Sequence, residues 1–365
     1  MLVKIKRQYR LAKLLYNFIF KEELKSPTKV PVLKRLYLLS KGFHSHVADL
    51  YNLKDFSLDD YFSDWAKAKM SMMYDSRNIR AGYQYGLNNK LFSTALLGQY
   101  LRTPKIYAII EHGLILSLHP EAENILATPT WVDRCYSAGG KLVFKPSAEG
   151  RGRGIFILSS HDGNLYINDV IVTEDEVNSR IKTLNEYLIL EFLYQDEYTA
   201  SLYPNSVNTI RIITIIEPDS HRPYMPMAVQ RIGRDSSQPV DNWNRGGLCA
   251  QIHLETGTLG SAATREGKDR HIAWYDRHPD TNAPIKGLTV PDWNQVKETI
   301  LDTASHLSYY KYLSWDVVKL DEGIAVIEAD TISGIETLQV HKPMLSDERV
   351  KKFLEHLGYV KKTER

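Results

Sequence analysis

Cysteine is nearly absent from this chain: only Cys135 and Cys249 occur, far apart and in no metal-like spacing. That excludes a disulfide framework and a cysteine-built zinc site, and it points to a reducing cytoplasm. No run of apolar residues approaches the ~18 needed to cross a bilayer. The first residues also lack the apolar stretch followed by small residues that a secretion signal needs. No Gly-Lys-Ser/Thr precedes a helix, so a Walker phosphate loop is excluded, and neither an internal repeat nor a low-complexity linker is present.

Charge is nearly balanced overall, at +2 over 365 residues, but it is unevenly placed. Residues 1–43 carry eleven Lys/Arg against Glu22 and Glu23, for +9, so the remaining 322 residues sum to −7. No nucleic-acid motif accompanies the basic arm, and the mildly acidic remainder argues against that partner. Val3 to Leu24 reads as an amphipathic helix, with Leu11, Leu14, Leu15 and Phe18 at helical spacing and Lys4, Lys6, Arg7, Arg10 and Lys13 supplying charge. Two readings stand: a helix packed on its own protein or a dimer mate, and a peripheral contact with the inner face of an anionic membrane. Pro27 and Pro31 interrupt the chain before a short helical stretch at 32–40. Residues 56–80 have helical periodicity through Tyr61, Trp65, Ala68 and Met72, with Ser57 as a cap. These segments define a helical N-terminal region, 1–80.

Beyond it the pattern changes. Helices are expected at Lys90–Gln99, Trp131–Ala138 and Trp293–Leu307. Strands are expected at Lys105–Glu111, Lys141–Lys145, Ile155–Leu158, Tyr187–Leu193, Thr209–Ile216, Met225–Ile232, Gly247–His253, Ser314–Lys319 and Ile324–Glu328. Many strands with few helices between them indicate an α+β fold rather than a regular doubly wound sheet.

Two segments carry chemistry. In the first, Phe144-Lys145-Pro146 leads into Ser147 and the alternating Gly150, Gly152 and Gly154, with Arg151 and Arg153 between them. Such glycines expose N–H groups that cradle phosphate, and Lys145 adds a point charge. A plain glycine-rich hairpin is the bland alternative. In the second, Trp315-Asp316 to Leu320 and Ile324 to Asp330 form a hairpin around the turn Asp321-Glu322-Gly323. Alternation sets Glu328 and Asp330 on one face, with Asp316 at the matching end of the other strand. Three converging carboxylates require a positive group between them, and hard oxygen donors favour Mg²⁺ or Mn²⁺. Solvated acids at a hairpin end are the competing reading. A polar stretch with Arg231, Asp241, Asn242, Asn244 and Arg245 is a candidate acceptor site, in which Arg231 suits a substrate carboxylate. His278 with Asp280 is a candidate base or a second polar anchor, with a solvated loop histidine as the competing reading.

With these two segments in order, the chain resembles the ATP-grasp superfamily over about residues 80–345. The branch it looks closest to is sugar-transfer associated ATP-grasp, also called alpha-L-glutamate ligase-related. Further matching pieces are Pro204-Asn205-Ser206-Val207-Asn208-Thr209-Ile210-Arg211, Asp241-Asn242 with Gly246-Gly247, and His278-Pro279-Asp280-Thr281.

The resemblance implies ATP held between two α+β subdomains, 81–190 with the glycine lid and 191–345 with the metal site, followed by a tail helix at 346–365. It implies that Lys90 and Lys145 contact the nucleotide, that Glu191, Phe192 and Leu193 meet adenine, and that Glu197 reaches the ribose. Arg211 matches the arginine at the transferring phosphate, and Asp316, Glu328 and Asp330 match the metal ligands. Asp330 departs from the family, which usually has Asn there. The implied reaction joins a small-molecule carboxylate to an amine through an acylphosphate, with sugar-linked substrates in cell-surface polysaccharide assembly. A phosphotransferase acting on a hydroxyl, or a nucleotide-binding scaffold without turnover, are the alternatives. Oligomeric state is left open.

Overall fold

The structure is a computed structural model that describes residues 2–24, 30–73, 86–118, 120–148, 152–267, 271–331 and 334–361. It opens with helix α1 (Leu2–Tyr16), which continues as a π-helical segment, Asn17–Glu23. Helix α2 spans Val32–Ser40, matching the expected stretch. The helix expected over 56–80 is instead broken. Ser57 caps a short 3₁₀ turn, Leu58–Asp60, through a reciprocal capping box with Asp60, and α3 begins only at Asp64 and runs to Met73. Residues 74–80 of that expected helix lie outside the described residues.

Two seven-stranded sheets follow, antiparallel at every strand pairing. Helix α4 (Lys90–Leu97) leads into the first, with Asn89 capping its amino end. Strands β1 (Ile106–Glu111) and β2 (Leu114–Ser117) precede α5 (Pro120–Leu126) and α6 (Trp131–Ser137). Then come β3 (Lys141–Pro146), β4 (Phe156–His161), β5 (Asn164–Ile167), β6 (Val170–Val172), α7 (Glu174–Lys182) and β7 (Tyr187–Glu191). Their spatial order is β2-β1-β7-β3-β4-β5-β6. One face is packed by Trp131, Cys135, Phe144, Phe156, Val177 and Ile181. Because side chains alternate, burying Leu142 and Phe144 turns Lys141, Val143 and Lys145 to the opposite side.

The second sheet is preceded by α8 (Glu197–Leu202) and built from β8 (Ile210–Ile216), β9 (Pro223–Ile232), β10 (Leu248–Ile252), β11 (Leu259–Glu266) and β12 (His271–Tyr275). After α9 (Trp293–His306) it is completed by β13 (Tyr312–Lys319) and β14 (Ile324–Asp330). The order is β12-β11-β10-β9-β8-β13-β14. Helix α9 covers one face, against Ile212, Ala228, Ala250, Trp315 and Val317. The other face receives the N-terminal helices together with α10 (Glu348–His356), so Leu38, Phe43, Met70 and Phe353 share a core with Ile213, Met227, Val229 and Cys249. Strand β13 is buried along its whole length as a result. Packing the N-terminal region here brings it to the edge of the polar end of the same face.

Candidate active site

Arg211, Asp316 and Glu328 are lateral neighbours on β8, β13 and β14, because the register pairs Asp316 with both of the others. Ser314 pairs with Asp330 one step along the same face. A bulge between Asp316 and Val317 interrupts strict alternation, so the consecutive Ile327 and Glu328 both reach the cavity. That cavity holds about 560 Å³, in the range of small-molecule sites. Its walls come from both sheets and from α3, which contributes Lys67.

Ion pairs organise the floor. Arg211 grips Asp316 with a two-pronged contact, Nε donating to Oδ1 at 2.6 Å and Nη2 to Oδ2 at 2.8 Å. Arg231 donates from Nη1 to the same Oδ2 at 2.8 Å, and from its other nitrogen to Asp241. Asp241 also accepts the Thr209 backbone N–H at 2.8 Å, which fixes the start of β8. Burial alone would push the Asp316 pKa up, but Arg211, Arg231 and Lys145 outweigh it and hold the carboxyl well below its usual range. Arg211 is likewise depressed by burial and raised on balance by Asp316, Glu328 and Asp241. Lys145 Nζ lies 3.5 Å from Glu328 Oε2, and Lys90 Nζ lies 3.9 Å from Oε1 of the same carboxylate.

The sequence-level metal set is therefore together in the cavity, with Asp316 already engaged by two arginines. Among the described residues, the one metal-type group whose donor atoms all lie within 4.8 Å of one another is elsewhere: His44, His46 and Asp64. The donor chemistry at Asp316, Glu328 and Asp330 still fits a hard divalent ion. Among the described residues the cavity is lined by four cationic side chains (Lys67, Lys145, Arg211, Arg231) and five carboxylates (Asp241, Asp316, Glu328, Asp330, Glu336), and Lys90 also lies beside Glu328. These carboxylates would repel a polyanion placed beside them, and a divalent ion held there would supply compensating positive charge.

Other expected residues divide. Gly152 and Gly154 have φ of +67° and +70°, where a side chain is strained, and a Cβ on Gly152 would press on Val240 at 3.1 Å. Arg245 reaches across to the Gly152 carbonyl at 3.4 Å, so the loop and the acceptor-side stretch touch. Ser147 is buried and its carbonyl accepts the Lys90 N–H at 2.8 Å. Gly150 lies outside the described residues. Asn242 and Asn244 line the cavity, the former also capping the short 3₁₀ turn Trp243–Arg245.

The expected adenine linker is spread out. Glu191 accepts from Arg102 Nη2 at 3.0 Å and from the Lys105 N–H at 3.1 Å, while Leu193 is buried with Val318 and Leu320. Phe192 lines a second cavity of about 220 Å³ beside Lys141 and Tyr194. Glu197 opens α8 and lines neither cavity.

His278 must be corrected as a base. It is buried against Tyr203, Nε2 meets the Gly233 carbonyl at 2.8 Å, and Nδ1 accepts two backbone N–H groups at 3.2 Å. Both ring nitrogens are occupied in shaping the turn, and Asp280 is engaged by Arg234. Sequence reasoning missed Lys67, Ser314, Glu336 and Thr337 as cavity residues. Ser314, two residues before Asp316 on the same strand, had the local signal of alternation.

A model of the sugar-transfer associated ATP-grasp family matches residues 70–353. No curated protein matches. Similar solved structures include D-alanyl-alanine synthetase A from Vibrio cholerae, 11% identical, covering 75% of this chain and 61% of that one at a TM-score of 0.40. An ADP complex of N5-carboxyaminoimidazole ribonucleotide synthetase is 11% identical, over 69% of this chain and 46% of that one, with a TM-score of 0.39. D-alanine–D-alanine ligase from Bacillus anthracis is 12% identical, over 75% and 67%, with a TM-score of 0.37. The chain thus spans less than half the length of the synthetase.

Proposed function

Because this chain belongs to the sugar-transfer associated ATP-grasp family, we propose that it is an ATP-dependent carboxylate–amine ligase. The observation that carries this reading is the cavity in which Arg211, Arg231, Lys145 and Lys67 meet Asp316, Glu328 and Asp330. A carboxylate and an amine condense at neutral pH only after activation, and phosphoryl transfer from ATP to the carboxylate provides it. The resulting acylphosphate is attacked by the amine, and phosphate leaves. This chemistry asks for positioning and charge stabilisation rather than a protein nucleophile.

In this reading the glycine loop and Lys145 bind the phosphate chain, and the contact of Arg245 with Gly152 helps hold the loop closed and water out. Arg211 and Arg231 are held rigid by Asp316 and are ready to take up charge on the transferring group and on the oxyanion that follows. Mg²⁺ or Mn²⁺, held by Glu328, Asp330 and Asp316, would neutralise phosphate charge when bound. Asn242, Asn244 and Lys67 face the space left for the acceptor. The sugar-transfer association of the family supports a sugar-linked substrate, and we assign it as an amino sugar or a uronate in cell-surface polysaccharide synthesis. Subdomain limits of 81–190 and 191–345 go with this assignment.

The decisive experiment is ADP release with candidate carboxylates in the presence and absence of hydroxylamine. Hydroxamate formation is expected. ADP release with a phosphorylated alcohol and no hydroxamate would make the protein a phosphotransferase. ATP binding with no turnover on any acceptor would make it a scaffold.

A further inference from the structure

Beyond the apolar side chains they bury, the first two N-terminal helices leave many others exposed. On α1 and the π-helical segment after it, Leu14 is half-buried and Phe18 is only 4% exposed, while Tyr9, Leu11, Leu15, Tyr16 and Phe20 all face solvent. Leu11 and Leu15 flank the inward Leu14 and Phe18, and Tyr9 and Tyr16 lie farther round, so apolar groups stay exposed over much of the helix surface. A helix that merely covered its own protein would carry polar side chains on the surface left outside that contact. Helix α2 repeats the pattern. It buries Leu38 and exposes Val32, Leu33, Leu36 and Tyr37, with Leu33 83% exposed.

The charge of the segment names the occupant. Residues 1–43 sum to +9, and Lys13, Lys21 and Lys34 are exposed among the apolar groups. Of the two acids there, Glu23 is fully buried, where it accepts from Ser45 and pairs with Arg35 at 3.0 Å. That buried pair also clamps α2 to the π-helical segment, so the two helices are held together. A second copy of this chain would bring the same positive charge against itself. We infer that the two helices form an interfacial docking face for an anionic lipid surface, with leucine and aromatic side chains entering the headgroup boundary and lysines meeting lipid phosphates. Among the described residues no helix is long and apolar enough to cross a membrane, which fits lying on the surface rather than spanning it.

The docking face is tied to the cleft. The Phe18 ring meets Trp65 edge-on, with centroids 5.3 Å apart, and Trp65 lies two residues before Lys67 on α3. Docking therefore sets the orientation of the cavity relative to the lipid.

The test is sedimentation of the full chain with vesicles of phosphatidylcholine alone, and of phosphatidylcholine and phosphatidylglycerol in equal parts. Binding to the anionic vesicles, weakened by salt, is expected. L15D/F20D should weaken it roughly tenfold or more, and K13Q/K21Q/K34Q by about fivefold per lysine. Both variants replace exposed groups and should keep the wild-type melting curve. No pelleting of the wild type, equal pelleting with neutral vesicles, or wild-type binding by both variants would overturn the inference. So would a dimer, seen by light scattering, that L15D/F20D dissociates while vesicle binding is absent.

Discussion

Replacing Asp316 with Asn removes one charge from a carboxylate that two arginines share. Arg231 keeps Asp241, but Arg211 loses a two-pronged contact at 2.6 and 2.8 Å. Asp316 and Arg211 have side chains only 11% and 17% exposed, so the abandoned guanidinium stays largely out of water. Breaking a buried pair from one side costs ~3–5 kcal/mol, a large share of the ~5–15 kcal/mol that holds a typical domain together. Urea denaturation at neutral pH should show that loss. Adding R211M should recover part of it, because the unpaired charge leaves with its partner. The pH dependence gives a second arm. The folded-state pKa of Asp316 is depressed, so its contribution is present above the ordinary carboxylate range of ~4 and is lost as pH falls through the folded value. Stability of the Asn variant should approach that of the wild type as the pH is lowered. A D316N protein within ~1 kcal/mol of wild type, or a double variant with purely additive losses, would refute the claim that this network organises the floor.

Three further outcomes follow from the same geometry. E328Q should abolish ADP release, while D330N, which restores the residue usual in the family, should retain it with altered Mg²⁺/Mn²⁺ preference; equal loss in both would sink that account. K67A should raise the KM for the acceptor several-fold and leave the KM for ATP near its wild-type value, as read from initial rates with each substrate varied. The His46–Glu336 contact at 3.4 Å should make attachment of the N-terminal region pH-dependent at both ends. Burial favours the neutral forms, yet their mutual attraction lifts His46 on balance and, with Arg265 and Lys67, draws Glu336 down to about 2. The histidine's contribution is full below ~6.5 and lost as pH rises through its raised value; the carboxylate's is full above ~4.3 and lost toward about 2. Melting of E336Q should be flatter on both sides, and an unchanged profile would contradict this.

The hairpin was legible because its information is local. The turn around Gly323, at φ +75°, marks the strand partners, and alternation sets Glu328 and Asp330 on one face; continued from Lys319 and Ile324 it would put Asp316 opposite Ile327, and only the bulge between Asp316 and Val317 brings Glu328 there instead. The glycine loop was legible for the same reason, since a lysine-ended strand and spaced glycines restrict what the backbone can do. The bulge beside Asp316 was not, because nothing in a β-branched run marks where the ladder skips a residue. His278 shows the limit for single residues: a histidine next to an aspartate looks catalytic until both nitrogens are seen to hold backbone groups.

What the sequence by itself determined is the family, the α+β layout and the chemical kit of lysine, glycine loop, arginine and hairpin acids. Each depends on short-range spacing. Tertiary structure alone decided which charges face one another. Arg211 and Arg231 meet Asp316 across strands about a hundred residues apart in the chain, and Lys67 enters the cavity only because the N-terminal helices pack on that sheet face. It also decided which side of α1 is buried. Periodicity marks the stripe Leu11, Leu14, Leu15 and Phe18 but not how much of it is covered, and here packing takes in Leu14 and Phe18 and leaves Leu11 and Leu15 exposed.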